Sequence, residues 1–243
     1  MEEVIEIINL KKSFDGKEVL KGINLTVAKG ENVAVVGKSG QGKSVTIQCI
    51  AGMLTPDEGS IKVLGQEISE LNEDELKAIR IRMGFLFQHA ALYDSMTVRE
   101  NLAFPLKAAL KIKDRAEIEK RSIEALEAVG LADAIDKMPA DLSGGQRKRM
   151  GLARTLIVNP EIILYDEPTT GLDTITAKEI SQLIMDIRNR YGASSIIITH
   201  DMACARKTAD RIVVMNDGQY IAEGSYTELE NSPDEFINSF FKL

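Results

Sequence analysis

The sequence predicts an α/β fold: a mostly parallel sheet with an antiparallel β subdomain at its start and a helical subdomain inserted in its middle. Three observations predict it. Short, wholly apolar runs rich in β-branched residues, such as Val33–Val36, have the composition of strands buried on both faces of a parallel sheet. Such runs alternate with helical patterns, the long helix Thr174–Tyr191 lying between Ile162–Tyr165 and Ser195–Thr199, which implies parallel pairing with both sheet faces covered. From Thr97 to about Ala140 strand signals vanish, and Asp114–Val129 carries Ala, Glu, Lys and Leu at helical spacing.

In chain order, Val4–Leu10 and Val19–Val27 read as strands joined at Asp15-Gly16, a hairpin-like start. Val33–Val36 leads through a glycine-rich loop into a helix from about Lys43 to Ala51. Pro56-Asp57-Glu58-Gly59 is a turn before the short strand Ile61–Leu64, and Gly84–Phe87 is another buried strand. The helical subdomain is placed at about residues 92–158. Ile212–Met215 returns to strand, and Asp217-Gly218 turns it into Gln219–Glu223. A C-terminal helix is expected at Asp234–Lys242, with Phe236, Phe240 and Phe241 tucked against the body. With no repeats or linkers, residues 1–243 read as one domain.

Composition narrows the function. Of 243 residues, 44% are hydrophobic and 28% charged, enough for a real core. The net charge of -7 argues against nucleic acid as partner, because phosphate backbones require a basic face. Cys49 and Cys204 match no metal spacing or disulfide framework and read as thiols in a reducing cytosol. The acidic first residues do not resemble a signal peptide. No apolar run approaches the roughly 18–20 residues that span a bilayer, so any membrane part must come from other chains.

Gly37-Lys38-Ser39-Gly40-Gln41-Gly42-Lys43-Ser44 is a complete P-loop, following a buried strand and opening a helix. Glycines let the backbone curl so that its N–H groups face phosphate oxygens, and the helix N-terminus adds a favourable dipole. Lys43 is expected to reach the β and γ phosphates of ATP and Ser44 to ligate Mg²⁺, with Val45 closing the phosphate-binding stretch. The core is therefore expected to be that of a RecA-like P-loop NTPase. The apolar strand Ile162–Tyr165 ends on Asp166-Glu167, at the strand end that faces the ligand crevice of a parallel sheet. Asp166 is assigned to Mg²⁺ and Glu167 to polarising the attacking water. Tyr165 is expected to place its hydroxyl at the sheet edge.

Leu142-Ser143-Gly144-Gly145-Gln146 follows the P-loop by about a hundred residues and precedes the acidic strand end. With these motifs in order, the whole chain resembles the ABC ATPase family. The resemblance implies a role for each matching residue. Phe14 stacks on adenine, where the family more often has Tyr. Gln88 contacts Mg²⁺ or the attacking water, and His200 holds the γ-phosphate and the water. Asp173 lies in the loop that crosses between subunits, with Thr174 standing where Pro is common. Ser143, Gly144, Gly145 and Gln146, placed before a helix Gln146–Val158, cap the γ-phosphate of a second copy, so that two chains pack head to tail around ATP. His89 matches no motif.

The resemblance further implies a membrane permease docking near Gln88–Met96, where Ala90-Ala91-Leu92-Tyr93 is small and apolar, while Phe104 is expected in the helical-lobe core. The stretch His89–Leu106, together with Leu172–Ala177 and the ending Pro233–Phe236, is similar to the Mla/MCE-type phospholipid transporters of Gram-negative bacteria. That similarity implies a lipid-binding MCE-domain partner, movement of phospholipid between inner and outer membranes, and a peripheral location on the cytoplasmic side of the inner membrane. The ATPase of a methionine or amino-acid importer is the alternative within the family. A non-transport ABC ATPase acting on DNA or ribosomes is the alternative from another class. Against it stand one ATPase unit and an interval between P-loop and signature without sustained heptads.

Overall fold

The computed structural model describes residues 2–241. Strands β1 (Glu3–Phe14) and β2 (Lys17–Ala28) form an antiparallel hairpin. Its turn is Asp15-Gly16, both residues left-handed at φ 50° and 78°, as a two-residue hairpin turn requires. β3 (Asn32–Val36) then enters the second sheet and the P-loop leads into α1 (Lys43–Ile50). β4 (Glu58–Val63) and the short β5 (Gln66–Glu67) rejoin the hairpin in a four-stranded antiparallel sheet of order β2-β1-β4-β5.

After α2 (Glu73–Arg82) comes β6 (Met83–Leu86), and then α3 (Val98–Ala108), α4 (Arg115–Ala128) and α5 (Gly144–Leu156), with no strand among them. The chain resumes strand–helix alternation in β7 (Ile162–Asp166), α6 (Thr174–Tyr191), β8 (Ser194–Thr199), α7 (Met202–Thr208) and β9 (Arg211–Asn216). β10 (Gln219–Gly224) turns back antiparallel through Asp217-Gly218, and α8 (Tyr226–Glu230) and α9 (Glu235–Ser239) follow. The second sheet has six strands in the order β10-β9-β3-β8-β7-β6, all parallel except β10.

Period-two alternation divides this sheet between two cores. Val33, Val35, Leu164 and Ile198 point to the side covered by the antiparallel sheet and α1. Ala34, Val36, Ile163 and Ile197 point to the side that packs α3 to α7. Each such fully buried aliphatic side chain contributes about 1.5–3 kcal/mol. The expectation that both faces are covered holds, but one cover is chiefly a second sheet. Wholly apolar strands report burial on both sides and not what lies on either.

Several expectations are corrected. α2 is an element the sequence pattern does not predict: its only buried residue is Ile79, and its signal is the capping box Asn72–Glu75 and not an apolar stripe. α7 and α8 are likewise unpredicted, each too short to show periodicity. Tyr165 is buried on an interior strand, not at a sheet edge. α9 is shorter than expected, with Asp234 as its cap, and Lys242 lies outside the described residues. Phe241 is buried against Tyr226, whereas Phe236 is exposed and stacks edge-on to Phe240 at 5.2 Å. Both cysteines are free and buried, and burial pushes each thiol up to about 11. Among the described residues, no helix is long and apolar enough to cross a membrane.

Gly84 marks where α5 presses on the sheet: a Cβ there would sit 2.3 Å from Thr155 Cγ2 and 3.2 Å from Pro160 Cγ. Gly84→Val should therefore destabilise the fold by about 1–3 kcal/mol through overpacking, seen as a lower urea midpoint with an unchanged slope.

Candidate functional site

Strand order builds the site. β3, β8 and β7 are consecutive neighbours, so the loop after β3, the end of β8 and the end of β7 meet at one edge of the sheet. The P-loop leaves β3 with Gly40 and Gly42 left-handed at φ 78° and 102°. A Cβ at Gly42 would lie 2.9 Å from the Val19 carbonyl oxygen, so the antiparallel subdomain closes on the loop and only glycine fits there.

Lys43 is buried, and its ammonium donates to the carbonyls of Gly37 (2.8 Å) and Lys38 (2.9 Å), folding back over its own loop. Burial lowers its pKa, opposed by the carboxylates of Glu167 and Asp166. Next to it, the Ser44 hydroxyl donates to Asp166 Oδ1 at 2.8 Å. Burial raises the Asp166 carboxyl, the Ser44 hydrogen bond lowers it, and the adjacent Glu167 raises it further. A hydroxyl and a carboxylate from two elements thus converge at bonding distance. They are the hard oxygen donors that Mg²⁺ takes, and the residues fit that ion.

Glu167 terminates β7 in a left-handed conformation, φ 49°, with its amide donating to the Ile198 carbonyl at 2.9 Å. Its carboxylate accepts from Thr170 Oγ1 at 3.0 Å and lies 2.8 Å from His200 Nδ1. Sequence spacing paired Asp166 with Glu167; the structure pairs Asp166 with Ser44 and Glu167 with His200. Gln88 lies two residues beyond β6 with its side chain exposed, and its carbonyl accepts from the Lys148 ammonium.

That lysine was missed. Lys148 is buried on α5, and Nζ also donates to the Glu167 carbonyl at 3.0 Å. Burial pushes it down to about 8 against the pull of Asp166 and Glu167. Its one signal in sequence is a cation on the helix face that otherwise buries Leu152 and Thr155.

The remaining predicted residues lie elsewhere on the surface. Ser143 caps α5, its hydroxyl accepting from Gln146 N at 3.2 Å while Gln146 Oε1 accepts from Ser143 N at 2.9 Å. The helix therefore begins at Gly144, two residues earlier than expected, because the capping box draws both glycines into its first turn. Gly145 packs on α6, where a Cβ would meet Thr176 Cγ2 at 2.5 Å. Asp173 caps α6 through Ile175 N and Thr176 N, and the Thr176 hydroxyl at 2.6 Å holds its carboxyl below the usual range. Thr174 is thus the first residue of a well-capped helix. Phe14 is exposed at the hairpin tip with the Lys12 ammonium 5.5 Å from its ring centre.

The loop after Gln88 turns on two left-handed alanines, Ala90 (φ 59°) and Ala91 (φ 46°). Tyr93 stacks on Phe104 at 5.1 Å, and the Arg154 guanidinium lies 5.4 Å from the Tyr93 ring. Phe104 is 42% exposed and is not a core residue as expected: α3 turns it outward to Tyr93. Beside it a cleft of about 610 Å³ runs between α2, β6, α3 and α5, floored by Phe85, Pro105, Ala109 and Val158.

The sequence profile described as ABC transporter matches residues 20–170. The chain belongs to the ABC transporter family. Among its relatives are the methionine import ATP-binding protein MetN of Rhizobium etli, 40% identical over 97% of this chain and 65% of that protein, and that of Carboxydothermus hydrogenoformans, 39% identical over 97% and 72%. This ABC family chain therefore spans just under two thirds of the length of the first of these relatives. Two solved structures share its fold. The dimeric ATP-binding cassette MJ0796 bound to ADP and Pi has a TM-score of 0.83 at 33% identity, over 91% of this chain and 98% of that one. The cbiO1 subunit of the cbiONQ ABC transporter complex from Clostridium perfringens has a TM-score of 0.85 at 28% identity, over 98% and 99%.

Ser44→Ala would leave the buried Asp166 carboxylate without its hydroxyl donor. Without nucleotide or metal, urea unfolding at pH 8 should show a loss of about 1–3 kcal/mol, the cost of an unpartnered buried polar group.

Proposed function

We propose that this chain is the ATP-hydrolysing subunit of an ABC transporter. The observation that carries the proposal is the Ser44–Asp166 contact set beside the Glu167–His200 pair at the mouth of the P-loop. Loop N–H groups and the α1 N-terminus bind the phosphates, and Lys43 exchanges its carbonyl partners for β and γ oxygens. Ser44 and Asp166, with Gln88, would hold Mg²⁺, which when bound would supply neutralisation of phosphate charge. Glu167 orients and polarises a water against the γ-phosphorus; the bond to that phosphorus forms as the bond to the ADP oxygen breaks. His200 steadies the γ-phosphate. Thr170 and His200 both engage Oε2 of Glu167, which leaves Oε1 to accept from the water.

Ser143 and Gly144 lie exposed at the N-terminus of α5, with Gly145 half-buried behind them, a backbone-lined anion site that suits the ATP of a second copy. The dimeric, 33%-identical cassette supports a homodimer, and the head-to-tail arrangement places Asp173 at the crossing. Phe14 supplies a ring face for adenine. The residues from 92 to 158 act as a helical subdomain of one domain, and the loop near Gln88–Met96 seats a permease at the membrane surface.

For the cargo, the names of the relatives support methionine or a similar amino acid better than phospholipid. Phospholipid, with an MCE-domain partner, stands as the second reading on the stretch His89–Leu106.

Glu167→Gln should lower kcat by about 10²–10⁴-fold, the usual worth of a positioned general base, while a fluorescent ATP analogue still binds. Turnover near the parental rate would remove Glu167 from the mechanism. Purified from detergent-solubilised membranes, the parent chain should bring down a permease, and Leu92→Asp should lose it while still binding ATP. A co-purifying solute-binding protein supports amino-acid import; an MCE-domain protein with bound phospholipid supports the second reading.

A further inference from the structure

We infer that Lys148 is a positioning residue that fixes Glu167 and the Gln88 loop relative to the helix that begins with Ser143, an inference that rests on the ATPase reading above. Its ammonium is buried and donates to two main-chain carbonyls from different segments, those of Gln88 and Glu167. A buried ammonium is retained only where it has partners, and here the partners are the backbones of two site residues and not a surface carboxylate.

Glu167 needs such a hold. It is left-handed, a conformation disfavoured for any residue with a Cβ, and its carboxylate direction follows from that backbone. The amide side is anchored on Ile198 and the carbonyl side on Lys148. Removing the ammonium frees one side of the turn, and the carboxylate loses its fixed relation to His200. The same change frees the Gln88 carbonyl at the start of the loop carrying Ala90 and Ala91.

Lys148 lies in the second turn of α5, whose first turn contains Gly144 and Gly145. A rigid helix therefore joins the candidate anion site to the candidate water-orienting carboxylate. An anion seated on Ser143 that shifts α5 along its axis carries the Lys148 ammonium with it, and through it Gln88 and Glu167. Lys43 and the P-loop have no hydrogen bond to Lys148 among the described residues, so the loop N–H groups and the Lys43 ammonium keep their arrangement without it.

The experiment compares Lys148→Met, Lys148→Arg and Glu167→Gln in the full chain, measuring steady-state kcat per folded molecule and the Kd of a fluorescent ATP analogue. Lys148→Met should lose at least about tenfold in kcat with Kd unchanged within about threefold, the pattern of an interaction that matters for turnover rather than binding. Lys148→Arg, which can still donate to both carbonyls, should restore most of kcat. A smaller loss in Lys148→Met, or a loss that Lys148→Arg does not restore, overturns the inference. Should Lys148→Met fail to fold, Lys148→Ala, which also lacks a donor, takes its place under the same criteria. No ATP turnover by the parent chain, alone or in its membrane complex, would instead sink the ATPase reading itself, while a turnover-competent Glu167→Gln would remove Glu167 alone, so the failures are distinguishable.

Discussion

The adjacency of β3, β8 and β7 in the parallel sheet governs everything else in this molecule. Neighbouring strands lie about 4.8 Å apart, so the residues that end them fall within one side-chain length of each other. From β3 the chain supplies the phosphate loop, from β8 His200, and from β7 Asp166 and Glu167. The two pairings that define the site are not local: Ser44 meets Asp166, and Glu167 meets His200, only because the sheet closes segments far apart in sequence. Five apolar strands buried on both faces make that arrangement rigid, since each is held by a core above and a core below.

Around the rigid edge, backbone conformations are disfavoured where function is proposed. Glu167, Ala90 and Ala91 are all left-handed without being glycine. Such residues persist where surroundings over-determine them, and the surroundings here are nameable: Ile198 and Lys148 for Glu167, and the Arg154–Tyr93–Phe104 stack beside the alanines. Two cations of α5, the buried Lys148 and the half-buried Arg154, thus reach from one helix into two loops, one at the nucleotide end and one at the proposed permease end. The Nη1 atom of Arg154 is buried without a hydrogen-bond partner, which marks the Tyr93 region as less completely satisfied than the P-loop region.

The relation to methionine importers and dimeric cassettes fits a division of labour within the family. The residues that would handle ATP sit on the sheet edge, where strand order fixes them. The residues that would distinguish one transporter from another sit on the loop after Gln88 and on the outer face of α3, where Phe104 and Tyr93 are exposed. A substitution there alters a surface and not a core, so sequence can drift with partner and cargo while the fold is untouched.

The sequence alone determined most of the order of strands and helices, α2, α7 and α8 excepted, together with the P-loop, the acidic strand end and a helix after Leu142, because each is a local pattern. Apolar runs mark buried strands, glycines mark tight turns, and apolar residues at helical spacing mark the longer helices. It placed β1, β2, β3, α1, α4, α6 and β7 to within a few residues. What it could not determine was whatever depends on contacts between distant segments. The cover of one sheet face by a second sheet, the outward turn of Phe104, the pairing of Glu167 with His200 and the burial of Lys148 are of this kind. A lysine on a helix reads as solvent-facing until the fold brings two carbonyls to it, and a polar helix such as α2 carries no apolar stripe to announce it. Tertiary structure decided these because burial and hydrogen bonding are properties of the assembled sheet and helices, not of any stretch of chain taken by itself.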